Sequence, residues 1–432
     1  MSVVAVLRVQ EYGRIHCGAA FSPESRTVTL AQHRELERFS ESYRRTRGVA
    51  VFQNGPRNSL VAQNYVGVIQ LGRHQVEVLP KIDGENHEVR RSLVRMVAAT
   101  LGLTLHADTV SAVERTDHSI LEVLIRLYCE QLWLQVRRGM LRRYESREDN
   151  LTVLRGRLNV SRQLRHNLAR PDRLYCTFDE FCEDNPLNRV LKAALRVLLG
   201  AARAESTVRS VSELLFCFQD VSDVSPQAIS WTQAGVDRLS ERYAPLVRMS
   251  RLFLEGCSPD LIAGSAVGFA VLFDMNELFE EYVGRQARRV FSKQGLNVAL
   301  QGPKRHLARA LHGGRSFELR PDVVVSHGHQ PTVVIDTKWK RLREDAAHES
   351  VSSADMYQMY AYAQRYDVDQ VILLYPHHSG LGSWKPRRAV YEVGGPAGGV
   401  EKRRCVSVST IDLLNLASIP AQLEALSQPL QL

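Results

Sequence analysis

The sequence predicts an α/β chain of the α+β multidomain kind. It reads as a β-rich domain over residues 1–105, a helical, arginine-rich region over 106–245, and an α/β core over 250–432. Three observations carry this reading. At 432 residues the chain exceeds what one hydrophobic core usually fills, since cores stop growing at around 250–300 residues. The spacing of apolar residues shifts from a period of two near the start to 3.6 in the middle. Late in the chain, short β-branched runs alternate with amphipathic stretches, the pattern of a mixed α/β layer.

Residues 3–9 read as a strand, and YVGVIQLGRHQVEVLPKI alternates on both sides of a turn at Gly72 to His74, which predicts a hairpin. A polar helix is expected over 32–43 between these strands. Leu121, Leu124, Ile125, Tyr128 and Leu132 then form one helical stripe, with Gly139 placed to end it. Another helix should start after Asn185-Pro186, burying Leu187, Val190, Leu191, Ala194, Leu195 and Leu198. Between these helices RRGMLRRYESR and LRGRLNVSRQLRHN repeat arginine without matching acids nearby in the sequence. Such a stretch suits a phosphate backbone or an acidic protein face, and equally a solvated helix surface. Residues 221–235, rich in Ser and Gln, read as a connection, and 379–400 as a Gly-rich loop.

The net charge of +9 suits a polyanionic partner such as nucleic acid, although an arginine excess over lysine also follows from base composition. The seven cysteines are scattered, odd in number and lack a C-x-x-C pair, which argues against zinc and for free thiols in a reducing cytoplasm. The apolar window at 261–273 is far shorter than the roughly 20 residues a membrane span needs, and reads as a buried element. No leader is expected from MSVVAVLRVQEYGR, which has no basic segment ahead of a long apolar run.

The chemistry concentrates in FELRPDVVVSHGHQPTVVIDTKWK. Two β-branched runs, 323–325 and 332–335, flank a turn, so Asp322 opens one strand of a hairpin and Asp336 closes the other. Lys338 falls two residues beyond Asp336, on the same face of an extended chain. Two carboxylates and an ammonium gathered in this way suit phosphodiester hydrolysis. A hard divalent cation takes oxygen ligands, and the developing phosphorane needs positive charge. Mg²⁺, with Mn²⁺ as substitute, is the expected cofactor, and Lys338, its pKa lowered by the metal, is expected to orient or deprotonate the attacking water.

Upstream, FDMNELFEEYVGRQARRVF is an amphipathic helix burying Leu272, Met275, Phe279, Val283, Ala287 and Val290, with Glu277, Glu280 and Glu281 along it. Downstream, ADMYQMYAYAQRY places Gln358 and Tyr362 four apart on one helix face, and a strand is expected over 371–375.

Pro321-Asp322 with Asp336-Thr337-Lys338 resembles the P-D…D/E-x-K signature of PD-(D/E)xK restriction-endonuclease-like nucleases, and Gln358 to Tyr362 resembles the Q-h-x-x-Y motif of their RecB-like branch. The resemblance implies a glutamate from the first helix at the metal, for which Glu280 is chosen from its F-E-x-Y context. It also implies a metal set of Glu280, Asp322, Asp336 and the backbone carbonyl of Thr337, supported by Gln358 and Tyr362.

Together with NYVGVIQLGRHQVEVLPKI, RGRLNVSRQL and FDEFCEDNPLNRVLK, the chain resembles the McrC family, nuclease subunits of McrBC-type systems that restrict modified DNA. That resemblance implies cleavage of methylcytosine-containing DNA with a McrB-like AAA+ GTPase hexamer, into which the N-terminal hairpin region would plug and whose hydrolysis it would stimulate. Because the chain lacks a G-x-x-x-x-G-K-[ST] loop, nucleotide hydrolysis would fall to the partner. Two other readings stay open at this point: a stand-alone RecB-like repair nuclease, and a mainly regulatory activator of an AAA+ NTPase.

Overall fold

The computed structural model describes residues 5–103, 119–257, 267–343, 351–393 and 404–428. Among them, Tyr65–Leu71 and His74–Leu79 form the expected hairpin, and a four-stranded sheet grows around it. Val6–Gln10 adds in parallel to His74–Leu79. The strand expected over 3–9 is thus confirmed from Val6 on, while Val3 and Val4 lie outside the described residues. Beside this sheet, Thr27–Thr29, Arg14–Gly18, Ser59–Ala62 and Phe52–Gly55 make a second small one.

The polar helix is longer than expected, Leu30–Arg47, because it is capped at both ends. Thr29 and Gln32 form a capping box, and Gly48 closes it in the left-handed conformation at φ 80°. The hairpin itself is not an exposed finger. Tyr65–Leu71 is buried at every position and His74–Leu79 at all but its first, since its alternating side chains face two different cores. Only the turn between the two strands, at Gly72 and Arg73, is exposed.

Val267–Asp274 pairs antiparallel with Tyr65–Leu71, so a strand from beyond residue 250 completes the N-terminal sheet. This strand takes up the later part of the apolar window at 261–273, whose residues 261–266 lie outside the described ones.

The middle region holds the expected helices Ile120–Arg137 and Pro186–Ala201, the latter started by the Asn185 side chain accepting from the Asn188 amide. It also holds what periodicity did not reveal, a ribbon of Arg143–Leu151, Leu174–Cys182 and Arg157–Leu158. Much of this ribbon is exposed, so no apolar alternation marks it. Charge pairs across it take that place, and the arginines do have acids. Arg142 meets Glu183 at 3.0 Å, Arg143 meets Asp237 at 2.9 Å, Arg147 meets Glu180 at 3.0 Å and Arg162 meets Glu148 at 3.1 Å. Glu180 lies on the returning strand and Glu183 just after it, Glu148 on the first strand, and Asp237 just past the 221–235 connection, whose Val221 and Ala234 are buried.

The C-terminal core is a six-stranded sheet, ordered Asn297–Leu300, Val323–His327, Gln330–Thr337, Gln370–Pro376, Arg404–Ile411, Ala389–Val393. The last of these falls within the expected Gly-rich loop and corrects it, its edge pairing to Arg404–Ile411 being a long-range contact. Residues 394–400 of that loop lie outside the described ones. Helix Met275–Lys293 packs on one face of the sheet and Ser353–Tyr366 on the other. The first starts one turn later than its apolar stripe indicated: Asp274 caps it, and Leu272 belongs to the preceding strand. All seven cysteines are free, and among the described residues no helix is long and apolar enough to cross a membrane.

Candidate active site

The hairpin register pairs Val323 with Ile335, which sets Asp322 across from Asp336 at the strand ends. Asp322 is oriented by Thr337, whose amide and hydroxyl both donate to Oδ2 at 2.7 Å. Asp336 lies between two paired neighbours in the sheet and is only 2% exposed. Lys338 is held by a bond from its amide to the Leu374 carbonyl at 2.9 Å, and its Nζ donates to Asp336 Oδ2 at 2.5 Å. The same Nζ donates to Gln358 Oε1 at 3.2 Å, and Gln358 donates in turn to the Tyr362 hydroxyl at 2.8 Å. Asp336, Lys338, Gln358 and Tyr362 therefore form one hydrogen-bonded chain joining the hairpin to helix Ser353–Tyr366.

Of the three glutamates on Met275–Lys293, Glu280 is the one facing Asp322. Gln301 Nε2 donates to it at 3.0 Å, and Arg320 donates to the Gln301 carbonyl oxygen. Glu281 is occupied by Arg285 at 2.7 Å, one turn along the same helix. An open cavity of about 720 Å³ is lined by Glu277, Glu280, Glu281, Gln301, Arg320 and Asp322. Asp336, which is buried, does not line it.

The electrostatics follow from burial. Burial raises the pKa of Asp336, repulsion from Asp322 raises it further, and Lys338 only partly offsets this. Asp322 is also raised by burial, against the pull of its two bonds from Thr337. In Glu280 burial and the Asp322 charge act in the same direction, upward. Burial would lower Lys338, yet Asp336 and Asp322 hold it above its ordinary value. The lowering expected for Lys338 does not come from the protein's own groups, which instead keep it an ammonium. Carboxyl groups that burial makes reluctant to ionise suit a hard divalent cation, which would supply the missing positive charge. Among the described residues no three His, Cys, Asp or Glu side chains converge closely enough to hold a metal between them. A hard cation bound here would therefore need water among its ligands.

Several neighbours escaped the sequence reading. Trp339, buried against Phe279 with ring centroids 5.2 Å apart, donates to both oxygens of Glu11 at 3.0 Å. The Lys81 amide donates to Glu11 at 2.9 Å and the Lys81 ammonium to the Trp339 carbonyl at 3.2 Å. The loop after Lys338 is therefore fastened to the N-terminal sheet. Asp355, at the start of the supporting helix, receives Lys340 at 3.2 Å. No local pattern marks Glu11 or Lys81, which lie 70 positions apart and whose shared partner Trp339 is more than 250 positions from either. Arg320 carried a weak signal in its adjacency to Pro321-Asp322, whereas Gln301, 20 positions upstream, carried none.

Two solved structures with this architecture come from Thermococcus gammatolerans. One chain, from a half-complex of a tetradecameric assembly of McrB AAA+ hexamers with bound McrC, superposes with a TM-score of 0.67 at 19% identity. The match covers 98% of this chain and 99% of that one. A chain from the McrBC complex of the same organism matches with a TM-score of 0.52 at 20% identity, covering 66% of this chain and 88% of that one. No curated protein matches the sequence. The model of the family described as "McrBC 5-methylcytosine restriction system component" matches residues 60–376, spanning the buried hairpin, the helical middle and the strand ends that carry Asp322, Asp336 and Lys338, and the chain belongs to that family.

Proposed function

We propose that the chain is the nuclease subunit of a McrBC-type restriction system. In this reading it hydrolyses phosphodiester bonds of methylcytosine-containing DNA with Mg²⁺ or Mn²⁺, beside a McrB-like AAA+ GTPase hexamer whose hydrolysis it stimulates. The observation that supports this most is the convergence of Asp322, Asp336 and Lys338 at two adjacent strand ends, with Glu280 facing them from a helix.

Asp322 and Asp336, with Glu280 and the Thr337 backbone carbonyl, are the groups that would hold the cation, with water completing its shell. When bound, the cation would supply positive charge against the scissile phosphate and a water of lowered pKa. Thr337 fixes the Asp322 carboxylate in one orientation, so little rearrangement is needed on binding. Lys338 stays protonated beside Asp336, orients the attacking water and offsets the negative charge that grows on the phosphorane. Gln358 and Tyr362 keep that ammonium from swinging away.

The test pairs two assays on Asp336→Ala and Lys338→Ala: cleavage of methylated plasmid in the presence of the motor, and the motor's GTPase rate. Each substitution should lower cleavage by roughly 100-fold or more while stimulation stays at the wild-type level. Excess EDTA should stop cleavage by the unmodified protein. A folded Asp336→Ala protein that cuts at the normal rate would falsify the site assignment. Cutting by the purified chain without motor or nucleotide would favour a stand-alone nuclease.

A further inference from the structure

The hairpin Arg305–Arg309 and Arg315–Leu319 forms a two-stranded sheet outside the six-stranded one, entering just before Asp322. Its register sets Arg309 directly across from Arg315. Like charges in that position repel and weaken a ribbon. The nearby acid gives no relief, since Glu318 is taken by Lys304 at 2.8 Å. Among the described residues no carboxylate pairs with Arg309 or Arg315.

Both arginines line an open groove of about 360 Å³ together with Lys304, Arg305, His306 and Arg365, and among the described residues no carboxylate lines it. Arg305 is immobilised there, its guanidinium 4.7 Å from the centre of the Tyr366 ring and donating to the Arg365 carbonyl. The hairpin is in turn tied to the helix carrying Gln358 and Tyr362, for the Tyr366 hydroxyl donates to the Pro303 carbonyl at 2.5 Å. Phe317, two residues after Arg315 on the same strand, is 72% exposed and held at φ 59°, a left-handed conformation unusual for a non-glycine residue. An exposed ring on the strand that carries Arg315 is the pairing that nucleic-acid surfaces use, charge for phosphates and a flat face for bases.

The contrast with the other arginine-rich ribbon is informative. Arg142, Arg143, Arg147 and Arg162 are matched by acids from their own fold. The groove keeps its charge for something outside the described residues. Arg315 lies seven residues before Asp322, so at full extension it is within about 24 Å of that residue. With about 3.4 Å of axis per nucleotide on one strand, that distance spans at most about seven nucleotides.

We propose that this groove binds the phosphate backbone of DNA and holds the strand within about seven nucleotides of the bond to be cut. The assignment rests on the nuclease reading for its purpose but not for its test. The full-length chain is titrated with a fluorescent methylcytosine-containing duplex in Ca²⁺, and the affinity is followed against salt. Arg309→Gln with Arg315→Gln should reduce the slope of log affinity against log salt by about two units and weaken binding roughly tenfold or more near 0.1 M salt. Arg309→Lys with Arg315→Lys should restore the slope. Arg147→Gln with Arg155→Gln, which removes guanidiniums already bound to Glu180, should leave it unchanged.

Thermal melts of the groove variants should match or exceed the parent, since a repulsion is removed. An unchanged slope, or an equal loss in the Arg147 and Arg155 control, overturns the proposal. So does an unchanged slope accompanied by a new sedimentation coefficient, which would make the groove a protein contact. Asp336→Ala measured alongside keeps the two readings apart, because failure of the nuclease assignment shows as unchanged cleavage by Asp336→Ala, whereas failure of the groove proposal shows as an unchanged salt slope and affinity in the arginine variants.

Discussion

At the scale of single residues, the site depends on groups whose partners are remote in sequence. Glu11 shows this most clearly. Burial raises its pKa to about 7, against the opposing pull of the Lys81 amide, the Lys81 charge and the Trp339 indole. Folded Glu11 thus holds its proton more tightly than the unfolded chain does. Its contribution to stability is complete below the ordinary value of 4.5, declines as pH rises and is lost above about 7. Glu11→Gln, which has no proton to lose, should flatten that decline by about 3 kcal/mol across the same window. Denaturant melts of both proteins at pH 4.5 and 7.5 check this, and identical pH dependence would sink it. The sequence did reveal Asp322, Asp336 and Lys338, because a β-hairpin fixes side-chain direction within a few residues. It did not reveal Glu11 or Trp339, whose roles arise from contact between distant segments.

At the scale of elements, caps and cross-strand pairs decide where structure starts. Asn185 starts Pro186–Ala201 with its side-chain oxygen, while its amide nitrogen donates to the Leu141 carbonyl at 3.0 Å and the Glu183 carbonyl at 3.1 Å. Asn185→Ala removes the cap and leaves those buried carbonyls to Asn188 alone, so it should cost about 2–3 kcal/mol. Asn185→Asp keeps the cap and loses the donor, so it should fall between parent and Ala in chemical denaturation. Equal stability of all three would refute the account. This helix was legible from its Asn-Pro start and its apolar stripe. The neighbouring ribbon was not, since its order comes from Arg–Glu pairs between strands and a Tyr144–Phe181 contact at 5.0 Å.

At the scale of the molecule, the three sequence segments do not map onto three cores. One hydrophobic cluster runs from Val66 through the middle helices to Leu426, and Val267–Asp274 completes a sheet begun by Val6–Gln10. Buried polar links follow the same seams. Glu77 accepts from the Ile120 amide at 2.7 Å, and Ser92 donates to the Leu413 carbonyl at 2.8 Å. A fragment starting at residue 250 would therefore expose one face of helix Met275–Lys293 and leave Val267–Asp274 without its sheet. Expressed alone, it should give no cooperative thermal transition, whereas the full chain should. A sharp melt for the isolated fragment would show that the C-terminal core is autonomous.

What the sequence by itself determined is whatever local geometry dictates. A period of two or 3.6 sets which side chains share a face, Asn-Pro sets where a helix begins, and a hairpin brings Asp322, Asp336 and Lys338 to one spot. The tertiary structure alone decided the burial of the N-terminal hairpin, the pairing of the ribbon arginines with distant acids, and the fastening of the Lys338 loop by Glu11. It also left Arg309 and Arg315 facing each other without an acid among the described residues. The reason is physical: side-chain direction along a strand or helix depends on neighbours a few residues away, whereas burial and charge pairing depend on which segments meet, and no local pattern records that.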